Sequence, residues 1–219
     1  ISRRMSELNL RNFAFERTTV GGMTGLRGDF ALGEVKWNWD VFTQFQRSRT
    51  DEQARNTMSP ARMSLGLNTT TNAQGQVVCV TQALGCVPVN PFGLGAVSPE
   101  AAAFISPSRT SQEIFERTIV GASLAGDLFS LPAGPVGTAI GLEYRDDDYE
   151  YMPGATDLAR EYGSASRGIT SGGYDVKEAF GEIRVPILSD KPFANILALE
   201  GAVRYSDYSN IGSATTWRL

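Results

Sequence analysis

"VGTAIGLEYR", residues 136–145, is the stretch on which the fold turns. Val136, Thr138, Ile140, Leu142 and Tyr144 make one alternating row, oily and ending in tyrosine. Gly137, Ala139, Gly141, Glu143 and Arg145 make the other, small at first and then charged. Alternation with period two is the mark of a strand with unlike faces. An oily face suits a sheet core or lipid. A face of small residues and charges suits solvent or a wet lumen. A soluble β-sandwich and a membrane barrel both satisfy this stretch.

The pattern recurs along the chain. "VKWNWDVFTQF" (35–45) sets Val35, Trp37, Trp39, Val41, Thr43 and Phe45 against Lys36, Asn38, Asp40, Phe42 and Gln44. "VKEAFGEIRV" (176–185) sets Ala179, Gly181, Ile183 and Val185 against Glu178, Phe180, Glu182 and Arg184. In "ILALEGAVRYSD" (196–207), Leu197, Leu199, Gly201, Val203 and Tyr205 oppose Ala198, Glu200, Ala202 and Arg204. Helical periodicity is poor, so the chain is expected to be all-β, with strands near 5–22, 34–50, 110–130, 136–148, 173–185, 195–208 and 213–219.

The connections carry the next signal. "GLRGDFALG" (25–33), "LPAGP" (131–135), "PILSDKPF" (186–193) and "YSNIGS" (208–213) are short. About sixty residues separate the second and third strands, and about twenty-four the fourth and fifth. Both long connections fall on one side of an up-and-down meander. Short turns at one rim and long loops at the other describe an outer-membrane barrel. Tyr144 and Tyr205 then stand at headgroup depth on one side, and Trp37 and Trp39 in the opposite aromatic girdle. Loops and girdles together favour the barrel. The lumen face would carry Glu143, Arg145, Glu178, Glu182, Arg184, Glu200 and Arg204, charges placed to pair across strands. The expected sheet is an antiparallel meander of about seven strands, a partial transmembrane barrel that does not close on itself.

Composition narrows the function. The formal charge of −4 lacks the basic excess of a nucleic-acid binder. The chain holds no histidine, which removes Ser-His-Asp and Cys-His catalysis and His-ligated zinc. The chain is accordingly not read as an enzyme, and no catalytic, cofactor or metal residue is assigned. Arginine outnumbers lysine seventeen to three, a balance suited to fixed ion-pair ladders. No apolar run reaches the ~18 residues of a membrane helix, but strands cross with ~9–11. "RDDDYE" (145–150) offers oxygen ligands without the glycine and distant glutamate of an EF-hand loop. "GGMTGLRGD" (21–29) lacks the Lys-Ser/Thr of a phosphate loop, and its "RGD" is expected in a turn. Glu178 and Glu182 share a face as a glycosidase pair would, yet Arg184 beside them favours ion pairing.

"CVPVNPFGLGAVSPEA" (86–101), "GDLFSLPAGPVGTAIGLEYR" (126–145), "VKEAFGEIRVPIL" (176–188), "LALEGAVRYSDYS" (197–209) and "WNWD" (37–40) together resemble the barrel of TonB-dependent outer-membrane receptors. The resemblance implies active uptake of a scarce nutrient across a Gram-negative outer membrane, a siderophore-bound metal, vitamin or oligosaccharide. It implies outer-membrane lipid, a plug domain, the TonB complex and a small-molecule ligand as partners, and no nucleic acid. Residues 1–219 would be an internal piece of such a barrel. A secreted carbohydrate-binding β-sandwich is the competing expectation.

Cys79 and Cys86 lie in the longer connection, on the side expected to face the medium. No histidine or third cysteine completes a zinc site, and the periplasm through which the loop would pass is oxidising. A disulfide is expected, with Gly85 easing the tight ring, and it is expected to shape a loop tip rather than hold a fold.

Overall fold

The alternating segments form strands in the computed structural model, which describes residues 5–219. In chain order the elements are β1 (Asn12–Leu32), β2 (Val35–Arg55), α1 (Pro60–Leu67), β3 (Thr69–Thr71), β4 (Val77–Cys79), α2 (Pro99–Ile105), β5 (Arg109–Leu131), β6 (Gly134–Pro153), α3 (Ala155–Leu158), β7 (Thr170–Lys191), β8 (Ala194–Tyr208) and β9 (Gly212–Arg218). The protein is all-β. Seven strands make one antiparallel meander in the order β1-β2-β5-β6-β7-β8-β9. The sheet is open, with β1 and β9 at its edges, and β3 and β4 form a separate small hairpin.

Three of the short connections are two-residue turns: Gly33–Glu34, Pro132–Ala133 and Pro192–Phe193. Gly33 takes φ +66°, a conformation glycine adopts without strain. Three expectations need correcting. The first strand was placed at 5–22, but β1 runs from Asn12 to Leu32. Gly25 and Gly28 of "GLRGDFALG" look like turn residues, yet they sit inside the strand and give neighbouring groups room. A Cβ at Gly28 would fall 2.9 Å from the Trp39 ring. "RGD" therefore lies in a strand, not a turn. The other strands also run longer than alternation suggested, except β8 and β9. In β7 the ladder shifts between Pro186 and Leu188, so the segment read as a loop is mostly strand around a bulge.

The long connection has secondary structure of its own. It is not a bare loop. The chain divides into two compact units, and this connection lies in the one made of residues up to Thr18, Arg49–Ile114 and Glu150–Ser171. We call this the loop unit. Both of its longer helices start on a Ser-Pro pair. Ser59 Oγ accepts from the Arg62 amide at 3.2 Å, and Ser98 Oγ from the Ala101 amide at 3.2 Å. Proline follows each cap at the position where its missing N–H costs nothing. Leu8, Cys79, Cys86, Val89, Val97, Ala101, Ala102, Phe104 and Ile105 form its buried core.

The second unit, Thr19–Ser48, Phe115–Tyr149 and Gly172–Leu219, is the strand unit. It treats apolar residues in the opposite way. Val136 and Val176 are its only buried large hydrophobics, whereas Ile140, Leu142, Leu197, Leu199, Val203 and Trp217 are all exposed. Val136 belongs to the oily row by alternation, but it is 1% exposed, close to the turn where Gly134 faces Pro186.

Candidate functional surface on the polar face of the sheet

The register of the last three strands defines the polar face row by row. Glu178, Phe180, Glu182 and Arg184 stand opposite Ser206, Arg204, Ala202 and Glu200. Ser206, Arg204 and Ala202 in turn face Ala214, Thr216 and Arg218 of β9. Side chains directly opposite on one face are close enough to interact. Arg184 Nε reaches Glu200 Oε1 at 3.3 Å, with both side chains well exposed. Arg204 donates to Glu178 Oε2 at 3.2 Å and lies 5.1 Å above the Phe180 ring centre. Ser206 Oγ donates to the other Glu178 oxygen. Glu178 is thereby buried and fully engaged, while Arg204 remains half open.

Small residues on this face receive aromatic rings from the next strand. A Cβ at Gly121 would fall 2.4 Å from Phe42, and one at Gly141 would fall 2.3 Å from Phe180. Each ring fills the space its glycine leaves, the pairing that lets strand glycines persist without a gap. Phe180 is thus fixed from below by Gly141 and capped by Arg204.

The remaining charges behave differently from one another. Arg145 lies beside Asp147 at 3.4 Å, and Arg117 makes the stronger, forked contact with that carboxylate at 2.5 and 2.9 Å. Glu143 is half-buried between Gly141 and Arg145 along the strand, and Glu182 is exposed. Glu182 accepts from Thr138 Oγ1 through its main-chain oxygen, at 3.0 Å. The structure therefore brings Glu178 to Arg204 and Arg184 to Glu200, and leaves Glu178 and Glu182 unpaired with each other. The acidic run 145–150 is held at Asp147 by two arginines. Among the described residues no group of three or more His, Cys, Asp or Glu is arranged to hold a metal.

The loop unit holds ionic contacts that alternation gave no sign of. Arg109 donates twice to Asp157, at 2.6 Å each, and once to the Ala165 carbonyl at 2.8 Å. Asp157 also accepts from the Arg167 amide at 2.9 Å. Burial works against the Asp157 carboxylate, but these hydrogen bonds outweigh it and hold its pKa below the ordinary aspartate value. Arg62 grips Glu161 in the same forked way, at 2.6 and 3.1 Å. These partners lie 48 and 99 residues apart, so no local spacing could have announced them. Cys79 and Cys86 are bonded, with Cα atoms 6.2 Å apart. Both sulfurs belong to the core rather than to an exposed tip, which corrects the role expected for the bond.

No family model matches the chain, and no curated protein matches it.

Proposed function

We propose that this chain forms part of the wall of a transmembrane β-barrel of the TonB-dependent receptor kind, serving uptake of a scarce small nutrient across an outer membrane. One observation carries the reading. In β2 and β5–β8 of the strand unit the exposed apolar side chains lie in a band beside the short turns: Val41–Phe45, Val120–Phe129, Ile140–Tyr144, Ile183–Leu188 and Ile196–Tyr205. A band about ten residues tall suits tilted strands crossing lipid. Further along the same strands, away from the turns, Asp147, Val176, Glu178 and Ser206 are buried instead. Water would penalise so much uncovered apolar surface, whereas lipid rewards it.

The opposite face suits a lumen. It is polar, its charges are largely paired, and its aromatic rings are seated on glycines, so it makes a smooth, fixed wall. Further strands, a plug domain and the TonB complex would complete such a receptor, and the ligand class remains a small nutrient. Transport rather than catalysis fits a face without histidine. A carbohydrate-binding sandwich would need a second large sheet against the first, and among the described residues the only other sheet is the β3–β4 hairpin.

Cell fractionation tests the proposal. The protein should pellet with outer membranes, resist alkaline carbonate and dissolve only in detergent. Recovery in the soluble periplasmic or secreted fraction would overturn it and favour the sandwich.

A further inference from the structure

The two long connections meet around Glu161 and Tyr162. Residues 154–169 turn on Arg160, whose φ of +54° closes α3 and sends Glu161 and Tyr162 inward. Both are buried, at 5% exposure each. Glu161 is then held from three directions. Its carboxylate takes the Arg62 fork, its main-chain oxygen accepts from the Ala61 amide at 3.2 Å, and the same oxygen accepts from Ser59 Oγ at 3.0 Å. Arg62 itself donates to the Phe104 carbonyl at 3.4 Å and lies 5.7 Å over the Phe104 ring. Ser59 donates its amide to the Ile105 carbonyl at 2.8 Å. The start of α1, the end of α2 and the tip of the 154–169 connection therefore share one polar knot. Tyr162 adds a hydroxyl bond to the Pro107 carbonyl at 3.2 Å.

We propose that the two long connections are latched into one body by Glu161, and that neither swings as an independent lid. A carboxylate this buried has no water to turn to, so releasing one connection strands its charge. Ordinary surface loops open separately, with few buried contacts and exposed backbone bonds. At Ser59, Phe104, Ile105, Glu161 and Tyr162 these two have the reverse character. Selection of a ligand by this unit would then rest on a preformed surface, not on loops that close around the guest. The inference goes beyond the barrel reading and does not depend on it, because the knot lies wholly within the loop unit.

Hydrogen exchange on the intact protein in detergent decides it. In the native protein, amides of α1 and of residues 155–165 should be protected alike and open together. Arg62→Ala should speed exchange in both segments by a similar factor, about tenfold or more. Arg62→Lys, which keeps the charge and loses the fork, should give a smaller but still shared increase. Two results would overturn the latch. One is native protection that differs more than about tenfold between the segments. The other is acceleration confined to α1 in the Arg62 variants. The native comparison stands even if Arg62→Ala fails to fold, and fractionation of the same protein reports separately on the barrel.

Discussion

The loop unit and the strand unit are cut from one chain, yet they spend their apolar residues in opposite ways. In the loop unit Val89, Val97, Phe104 and Ile105 are buried around a disulfide, as in any small water-soluble domain. In the strand unit Leu142 is 64% exposed and Trp217 79% exposed. Small domains that cannot build a large core commonly add disulfides, and the loop unit does so. The strand unit has neither core nor bridge. On the proposed reading, what differs is the solvent each unit is built for: water for the first, hydrocarbon for the second.

The comparison breaks most visibly at Leu199. Arginine there should cost up to ~2–4 kcal/mol of folding stability in a bilayer if the position lies near the midplane. Arginine at Ala202, three residues along and on the other face, should cost much less. Urea titration of the two variants in lipid vesicles measures the difference, and equal losses would show that the faces are misassigned.

In the loop unit the larger electrostatic effect belongs to Asp157. Asp157→Asn leaves Arg109 without its charge partner and should cost about 3 kcal/mol there. Because the folded pKa lies below the unfolded one, the contribution is complete above the ordinary aspartate value. It fades only as pH falls through the lowered folded value. Thermal melts of wild type and variant should therefore converge in strong acid and stay apart near neutrality. Convergence as pH rises would reverse the assignment.

Replacing Cys79 and Cys86 by serine should follow, at about 2–3 kcal/mol for so short a ring. Since both sulfurs sit in the core, the loss should appear as raised exchange around α2 as well as in residues 79–86. A loss confined to those residues would restore the loop-tip role. The smallest effect is expected at Glu200→Gln, under about 1 kcal/mol, because the pair with Arg184 is open to water. A larger loss would mean that the polar face is dry.

The sheet was legible because period-two alternation survives in β2, β6, β7 and β8. β8 is read nearly to the residue, at 195–208 against Ala194–Tyr208. The start of the sheet was not, because glycine is ambiguous: Gly25 and Gly28 look like turn residues until Phe42 and Trp39 occupy the space beside them. The pairs Arg184–Glu200 and Arg204–Glu178 follow from register once the strands are placed. The loop unit was opaque for another reason. Its helices are four to eight residues long, too short for a helical period to stand out, and only Ser59-Pro60 and Ser98-Pro99 mark the starts of the longer two. Its ionic knots join distant residues, which spacing does not encode.

The central claim is that one face of the strand unit meets lipid and the other meets water. Cysteines introduced singly at Leu199 and Ala202 can carry nitroxide labels while the native pair stays bonded. In membranes, the account predicts that the label at Leu199 relaxes with oxygen, which concentrates in lipid. The label at Ala202 should relax with a water-soluble nickel chelate. Chelate access at both positions, or the reverse pattern, would contradict it.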